Sequence, residues 1–236
     1  MKERLRYRSL LPIYSVLLAG VLLIAAAGSR AVTVMTVNAP IEDRKTVILD
    51  AGHGGVDGGA VSCTGVSESV VNLEITLKLN DLMHLLGINT VMIRETDCSI
   101  YTKGETIAQK KISDLKERVR IVNSTPNAVL ISIHQNHFTD DRYSGAQVFY
   151  AATQGSQALA ESMQSAFIKT INPTSHRHIK KADGVYLMQR VKCAAVLVEC
   201  GFLSNKEEEY KLRTKEYQQK ISAVIASCVS NYLFVT

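Results

Sequence analysis

Short runs of apolar, β-branched residues alternate along the chain with longer segments whose apolar residues recur with the period of a helix. Such runs indicate buried strands, and strands that alternate with helices are typical of parallel sheets. We therefore predict an α/β fold: a single domain with a mostly parallel, twisted sheet flanked by helices. The predicted strands contain residues 47–49, 90–93, 129–133, 148–150 and 195–198.

The first long helical segment follows the first predicted strand. It covers residues 68–86, and its period places Val70, Leu73 and Leu77 on the face that we expect to be buried. Gly87 follows directly, and a glycine at this position typically ends a helix. Together with the strands before and after it, this segment predicts a β-α-β unit.

Three further helical segments are predicted downstream. Ser113 is a candidate cap for the first of them. Asn205 and Glu208 have the spacing of a capping box, so they predict the start of the last one. The three segments span residues 113–122, 156–171 and 205–232.

Residues 1–29 have the pattern of a membrane-targeting segment. Four basic residues within residues 1–8 precede an uncharged, mainly apolar stretch over residues 9–29. Because about 20 apolar residues can cross a bilayer and basic residues remain on the cytoplasmic side, this pattern predicts export. It fits both a membrane anchor and a signal peptide that is cleaved after small residues. We expect a domain over residues 46–236 outside the cytoplasm, joined to this segment by a linker over residues 30–45.

The excess of basic residues is concentrated near the N-terminus. The chain has 27 Lys and Arg residues against 22 Asp and Glu residues, for a net charge of +5. Residues 1–45 hold seven of the basic and three of the acidic residues, so residues 46–236 are nearly neutral. A nearly neutral domain argues against a nucleic acid as its main ligand. The five cysteines stand at irregular spacings and do not indicate a disulfide framework.

Residues that can bind a metal ion or move a proton lie at the ends of three predicted strands. His53 comes after the first strand, and His134 ends the third. Glu199 follows the last strand, and Glu68 opens the first helix. The carboxyl ends of parallel strands meet at one edge of a sheet, so we expect these side chains to meet there. Two imidazoles and a carboxylate are typical ligands of a catalytic zinc ion, and a second carboxylate beside its water predicts a hydrolase.

The loop after the first strand is rich in glycine, and this composition allows two interpretations. The glycines would let the backbone approach a metal ion and a substrate closely. A glycine-rich turn could instead cradle a phosphate group, but the loop lacks the spacings of known phosphate-binding motifs. The glycines are Gly52, Gly54, Gly55, Gly58 and Gly59.

Five motifs, in this order, resemble those of the zinc-dependent N-acetylmuramoyl-L-alanine amidases of the Amidase_3 family. The resemblance covers nearly all of residues 46–232, and small departures at Ala51 and Cys200 leave the proposed ligands intact. The motifs are Asp-Ala-Gly-His53-Gly-Gly, Glu68 before Asn72-Leu, Arg94-x-x-Asp, Ser-Ile-His134-x-Asn136 and Val-Glu199-x-Gly-Phe-Leu-Ser-Asn205.

This resemblance implies that His53, Glu68 and His134 bind one zinc ion. It also implies that Glu199 is the catalytic base in hydrolysis of the amide between the lactyl group of muramic acid and L-alanine in peptidoglycan. Within the family the chain is most similar to the CwlD-type amidases of spore formers, which implies a role in the spore cortex. There, removal of the stem peptide precedes formation of muramic δ-lactam by a separate peptidoglycan deacetylase.

The sequence leaves other functions open. The chain could be a vegetative cell-wall amidase that acts in cell separation, another peptidase on this scaffold, or an inactive wall-binding regulator with the same fold. The intact set of site residues speaks against the inactive regulator. The linker over residues 30–45 is too short for a wall-binding module, so we expect a membrane tether or an activator protein to concentrate the enzyme on its substrate.

Three more residues are candidate substrate contacts. Asn136 follows His134 by two residues and could bind the peptide or orient a metal ligand. Arg94 and Arg118 are further candidates for substrate binding, but we favour buried ion pairs over direct substrate contact for both. The basic loop over residues 175–181 is either a solvated connection or a lid that attracts anionic carboxylates of the wall.

Overall fold

The computed structural model of the protein describes residues 44–234. Within them, six strands form one sheet that is flanked by helices, which confirms the predicted α/β fold. The strands are β1 (Thr46–Ala51), β2 (Thr90–Met92), β3 (Ala128–Asn136), β4 (Gln147–Tyr150), β5 (Lys180–Lys181) and β6 (Ala194–Phe202). Their order across the sheet is β2-β1-β3-β6-β4-β5.

The helices pack on both sides of this sheet. They are α1 (Glu68–Leu85), α2 (Ile107–Ser124), α3 (Ser156–Thr170), α4 (Tyr186–Arg190), α5 (Lys206–Leu212) and α6 (Lys215–Phe234). None of the helices between residues 44 and 234 combines the length and the apolar character that crossing a membrane requires. The predicted membrane or signal segment over residues 1–29 lies outside the described residues, as does nearly all of the predicted linker.

The strands are parallel in one part of the sheet and reversed in another. β2, β1, β3 and β6 are parallel, whereas β4 runs antiparallel to β6 and β5 runs parallel to β4. The connection from β3 to β4 contains no helix, and a parallel crossover needs a longer connection that usually includes one. As a result, the amino end of β4 at Gln147 lies at the same edge as the carboxyl ends of the parallel strands.

The side chains of each strand alternate between two faces of the sheet. Leu49 points toward α1, α3 and α6, where Ile75 and Phe167 belong to the larger apolar cluster. Ile48 points toward α2 and α4 and belongs to a smaller cluster with Val122. We call these two sides the α1 face and the α2 face.

The buried stripe of α1 differs from the predicted one. Val70 and Leu77, expected inside, are each 37% exposed, while Val71, Ile75 and Leu79 are fully or almost fully buried. The helix also buries polar residues near its start, because its first turns contribute to the site at the sheet edge. Polar residues within the buried stripe lower the contrast between the faces, so the leucines alone indicate the wrong side.

Of the two predicted helix caps, the structure confirms Asn205 and gives Ser113 another role. α2 starts earlier than predicted, with Thr106 as its cap, and Ser113 lies inside the helix, where its hydroxyl accepts from the backbone N–H of Thr102 at 3.1 Å. Asn205 does cap α5, since the N–H of Glu208 donates to its side chain at 2.9 Å. The Glu208 carboxylate points elsewhere and does not complete a capping box.

Candidate metal and catalytic site

Three side chains from separate elements meet at the carboxyl edge of the parallel strands. His53 follows β1, Glu68 is the first residue of α1, and His134 lies near the end of β3. Each offers one ligand atom, and these atoms lie within 4.8 Å of one another. The two imidazole rings pack edge to face with their centroids 5.0 Å apart. The structure therefore brings together the three residues that the sequence nominates as metal ligands.

Glu68 lies between the two histidines. Its Oε2 is 3.2 Å from Nε2 of His53, and its Oε1 is 2.9 Å from Nδ1 of His134. The backbone N–H groups of Ala60 and Gln135 donate to the same carboxylate at 3.0 and 3.1 Å. Burial would raise the pKa of Glu68, but the hydrogen bonds and charges of His134 and His53 outweigh it and hold the pKa well below its ordinary value. The carboxylate is therefore ionised at neutral pH, as a metal ligand must be.

His53 is held by a second carboxylate that the sequence analysis did not find. Its Nδ1 lies 3.0 Å from Oδ2 of Asp57, on the side of the ring opposite Glu68. Lys111 of α2 pairs with Asp57 at 3.1 Å. A carboxylate that accepts from the outer nitrogen of a histidine fixes the ring and its tautomer, a common arrangement around bound metals. An aspartate four residues after the first histidine was the available signal.

The glycines of this loop allow close packing around the three ligands. A Cβ atom at Gly52 would lie 2.2 Å from Nε2 of His134. At Gly59, where φ is +70°, a Cβ would lie 2.6 Å from Oε2 of Glu68. His53 itself has a positive φ of 61°, a strained conformation for a residue with a side chain. The loop thus depends on glycine for close packing against the ligand residues, while a close approach to a metal ion and a substrate stays a prediction.

Arg118 of α2 stabilises the loop that carries His53. It forms a buried ion pair with Asp50 and another with Asp114 at 2.6 Å, and its Nη2 donates to the carbonyl of His53 at 2.7 Å. Burial would raise the pKa of Asp50, but Arg118 and the hydroxyl of Ser132 outweigh it and lower the pKa. Arg118 is only 2% exposed, so a substrate contact does not fit its position.

Arg94 has a similar supporting position. Its guanidinium donates to the carbonyls of Ala51 at 2.8 Å, Gly52 at 3.1 Å and Ser69 at 2.8 Å. It is also 2% exposed. The substrate role expected for Arg94 therefore does not fit either, because its donors are turned to backbone carbonyls that join β1 to the start of α1.

Asn136 lies where the register of β3 and β6 shifts. It pairs with Phe202, and its carbonyl accepts from the N–H of Leu203 at 2.8 Å. The side chain is partly exposed. A contact between this amide and the substrate stays a prediction.

Glu199 faces the three ligand residues from β6. It is the direct neighbour of His134 in the pairing of β3 with β6. Its Oε2 is buried and has no hydrogen-bond partner among residues 44–234. Burial raises the pKa of Glu199 to about 7, with a further increase from Glu68 that His134 and His53 oppose. A carboxyl group with this pKa can accept and release a proton near neutral pH.

The donor set fits a divalent metal ion such as zinc. Zinc prefers imidazole and carboxylate ligands at about 2.0–2.2 Å in a tetrahedron, which separates neighbouring ligand atoms by about 3.3 Å. Glu68 contacts each histidine through a different oxygen, at 2.9 and 3.2 Å, and the ligand atoms of the three residues lie within 4.8 Å of one another. The buried and unpaired oxygen of Glu199 gives a water molecule beside such an ion an acceptor for its proton.

Comparison with known proteins points to one family. A family model described as N-acetylmuramoyl-L-alanine amidase matches residues 47–231. The germination-specific N-acetylmuramoyl-L-alanine amidase of Bacillus subtilis is 34% identical over 190 residues, which cover 80% of this chain and 79% of that protein. The amidase AmiA of Escherichia coli is 26% identical over 233 residues, covering 80% of this chain and 76% of AmiA.

Solved structures give the same result. The CwlD amidase from Clostridioides difficile, in complex with the GerS lipoprotein, matches with a TM-score of 0.78 and 38% identity. The match covers 82% of this chain and all of that one. Another N-acetylmuramoyl-L-alanine amidase, from Clostridium difficile 630, matches with a TM-score of 0.70 and 31% identity over 80% of this chain and 97% of that one.

Proposed function

The chain belongs to the N-acetylmuramoyl-L-alanine amidase family, and from this premise we propose that it is a zinc-dependent amidase acting on peptidoglycan. The bond cleaved is the amide between the lactyl group of muramic acid and the L-alanine of the stem peptide. The observation that carries the proposal is the meeting of His53, Glu68 and His134 beside the unpaired carboxyl group of Glu199.

In this proposal the residues of the chain have distinct tasks. His53, Glu68 and His134 hold the metal, and a bound zinc ion supplies a Lewis acid for the amide carbonyl and for water. Glu199 accepts a proton from the attacking water at its free Oε2 and passes it to the departing amine. Asp57 holds the ring of His53 in place during this proton transfer. No covalent bond to the protein is required.

A role in the spore cortex is the more specific part of the proposal. It is supported by the 34% identity to the germination-specific amidase of Bacillus subtilis and by the likeness to the CwlD amidase. The product in the cortex would be a muramic acid without its peptide, which a peptidoglycan deacetylase then converts toward muramic δ-lactam. A spore germination defect in a deletion strain, rescued by this chain and not by its Glu199→Gln variant, tests this role.

Export and a protein partner complete the proposal. The basic and apolar pattern of residues 1–29 supports a membrane anchor or a signal peptide, with the catalytic domain outside the cytoplasm. One solved relative is in complex with a lipoprotein, which supports a protein partner for this chain as well. Co-purification of a tagged full-length chain from sporulating cells tests the partner.

The reaction itself is tested by product analysis. The full-length protein, loaded with zinc, is incubated with peptidoglycan, and the fragments are identified by mass spectrometry. We expect free L-alanine amino groups and glycan without stem peptides. Glu199→Gln should still bind zinc but lose about 10²–10⁴-fold in rate, because it removes a general base. Cleavage between two amino acids of the stem peptide, or near-normal turnover in Glu199→Gln, would contradict the proposal.

A further inference from the structure

We propose that Arg177, with the aromatic rings beside it, forms a subsite that binds a free carboxylate of the stem peptide. This inference rests on the proposed amidase function and adds a determinant of substrate choice. It concerns the basic loop for which the sequence leaves two roles open, a solvated connection and a lid.

The guanidinium of Arg177 is fixed in one position. It stacks over Phe202, with its central carbon 4.5 Å from the ring centroid, and lies 5.9 Å from the ring of Tyr143. Nε donates to the carbonyl of Ser144 at 2.8 Å, and Nη1 donates to Oε1 of Gln147 at 3.0 Å. A guanidinium held on several sides loses little further entropy when it binds an anion.

This position is next to the proposed catalytic group. Gln147, which accepts from Arg177, is the direct partner of Glu199 in the antiparallel pairing of β4 with β6. Side chains of directly paired residues lie on the same face, with Cβ atoms about 5 Å apart. Phe202, on which Arg177 stacks, ends the same strand three residues after Glu199. Arg177 therefore contacts the residue that lies directly beside Glu199 at this edge of the sheet.

Part of the Arg177 guanidinium is available to a ligand. Its Nη2 has no hydrogen bond, and the side chain has no ion pair, within the part of the chain that the structure describes. Glu208 is the nearby acid, but its two oxygens accept from the N–H groups of Gly145 and Phe202 at 2.8–3.0 Å. Burial lowers the pKa of Arg177, yet an arginine stays charged at neutral pH. The negative charge of Glu208 raises the pKa of Arg177 in opposition to burial, but the two groups form no ion pair in the described residues. A partly exposed guanidinium with a free N–H group can therefore still accept a carboxylate ligand.

The rings around Arg177 also suit a peptide. Phe138 and Tyr143 contact each other edge to face at 5.0 Å and are about half exposed. Exposed aromatic rings beside a fixed cation form one small surface that is apolar at the rings and positively charged at the guanidinium. This surface would contact the aliphatic part of a short peptide while Arg177 binds its carboxylate.

The substrate carries a carboxylate within reach. In peptidoglycan the second residue of the stem is a glutamate joined through its side chain, so its α-carboxyl group is free or is amidated. This carboxyl group is the first one along the stem from the cleaved amide, and Arg177 is one hydrogen-bonded residue, Gln147, removed from the direct neighbour of Glu199. The glutamate carboxylate is therefore the group that we assign to Arg177.

The test compares two muramoyl tripeptides that differ only at this glutamate, one with the free α-carboxylate and one with the carboxamide. We expect the full-length enzyme to cleave the carboxylate substrate with about 10-fold higher kcat/KM, since a charge-assisted hydrogen bond contributes this order of discrimination. Arg177→Gln should remove the preference, so that the ratio of kcat/KM for the carboxylate and carboxamide substrates falls to about 1. Arg177→Lys should recover part of the preference.

Arg142→Gln is the matched control, because Arg142 is an exposed arginine near Tyr143 that pairs only with Asp140 among the described residues. It should leave the preference intact. Equal losses on both substrates in Arg177→Gln would show that Arg177 only supports the loop, and no preference in wild type would likewise overturn the inference.

A binding measurement separates this inference from the proposed function. The free tripeptide products with carboxylate or carboxamide are titrated into the full-length protein and its Arg177→Gln variant by calorimetry. Tighter binding of the carboxylate peptide by wild type alone supports the subsite even if no hydrolysis is detected. Hydrolysis without any such difference in affinity or rate would keep the amidase and remove the subsite.

Discussion

The α1 face and the α2 face of the sheet bury different kinds of side chain. On the α1 face, Ile131, Met163 and Phe167 belong to a large apolar cluster. The polar residues buried beside this cluster include the uncharged Thr76, Gln164 and Ser222. On the α2 face the apolar cluster is smaller, and toward the carboxyl edge it is replaced by the ion pair of Asp50 with Arg118. Burying charge costs free energy of solvation, whereas burying apolar surface lowers the free energy of the folded state.

The two faces therefore contribute differently: the α1 face mainly stabilises the fold, whereas the α2 face also positions the residues of the candidate site. The polar network of the α2 face connects β1, β3 and α2 directly to the loop of His53, through the carbonyl that Arg118 contacts. The α1 face reaches the site only at the first turns of α1, through Glu68 and Asn72. We therefore expect changes in the apolar cluster of the α1 face to lower stability alone, and changes in the polar network of the α2 face to lower both stability and metal binding.

Phe167→Ala should have the largest effect on stability. Phe167 is fully buried on the α1 face, and truncating a buried phenylalanine costs about 3–5 kcal/mol in the free energy of unfolding. Zinc affinity should stay within about twofold of wild type at temperatures where the variant is folded. Denaturant unfolding and zinc titration measure the two quantities. A parallel loss of zinc affinity would show that the two faces are not separable.

Arg118→Leu should reduce both the free energy of unfolding and the affinity for zinc. It leaves Asp50 buried without its ion pair, which costs about 3 kcal/mol, and it removes the donor to the carbonyl of His53. Under conditions where the two variants are folded to the same extent, we expect Arg118→Leu to bind zinc more weakly than Phe167→Ala does. Arg120→Leu is the control on the same helix, because Arg120 is exposed and pairs with Glu117, so its loss should leave the free energy of unfolding almost unchanged. Unchanged zinc affinity in Arg118→Leu would contradict a positioning role for the network.

Asp57→Ala should act on metal binding far more than on stability. Removing the carboxylate behind a ligand histidine typically weakens metal binding about 10–100-fold. Asp57 is partly exposed, so the free energy of unfolding of the metal-free protein should change little. Asp57→Asn keeps an acceptor for His53 and should show a smaller loss. Competition titration with a zinc chelator measures these affinities, and equal affinities in all three proteins would remove Asp57 from the site.

The parallel part of the sheet explains what the sequence could predict. His53, His134 and Glu199 follow apolar runs, and the carboxyl ends of parallel strands share an edge, so their meeting could be expected before the structure. The same rule did not predict that Gln147 lies beside Glu199, because β4 runs in the opposite direction and its amino end lies at that edge. No short-range pattern marks the direction of a strand, since the direction depends on how the chain returns to the sheet.

Long-range contacts account for the other differences. Arg94 and Arg118 are charged residues that the sequence could place at the substrate or in ion pairs, and only their burial decides between the two. Arg177 lies in a basic loop, yet its role depends on Gln147 and Phe202, which are distant in the sequence. Local propensity and spacing carry no information about such contacts.

The smallest expected effect concerns the pH dependence of stability in the metal-free protein. Burial raises the pKa of Glu199 from 4.5 to about 7, so the folded state holds its proton more tightly than the unfolded state. The stabilising contribution of the protonated group is therefore fully present below pH 4.5 and is lost as the pH rises through about 7. Glu199→Gln lacks this proton and should lack the dependence.

The measurement is the difference in Tm between wild type and Glu199→Gln, in chelator, from pH 5 to pH 8. We expect the difference to turn against wild type as the pH rises, because ionised Glu199 then faces Glu68 without a hydrogen-bond partner of its own in the described chain. Glu68, whose pKa is strongly lowered, is ionised in both folded proteins from pH 5 to pH 8, so its own titration contributes little to the difference. With zinc bound, a positive charge beside Glu199 favours its ionised form, so the dependence on pH should become weaker. A difference that is constant over this range would mean that Glu199 is ionised in the folded protein throughout. Burial would then not raise its pKa as stated here.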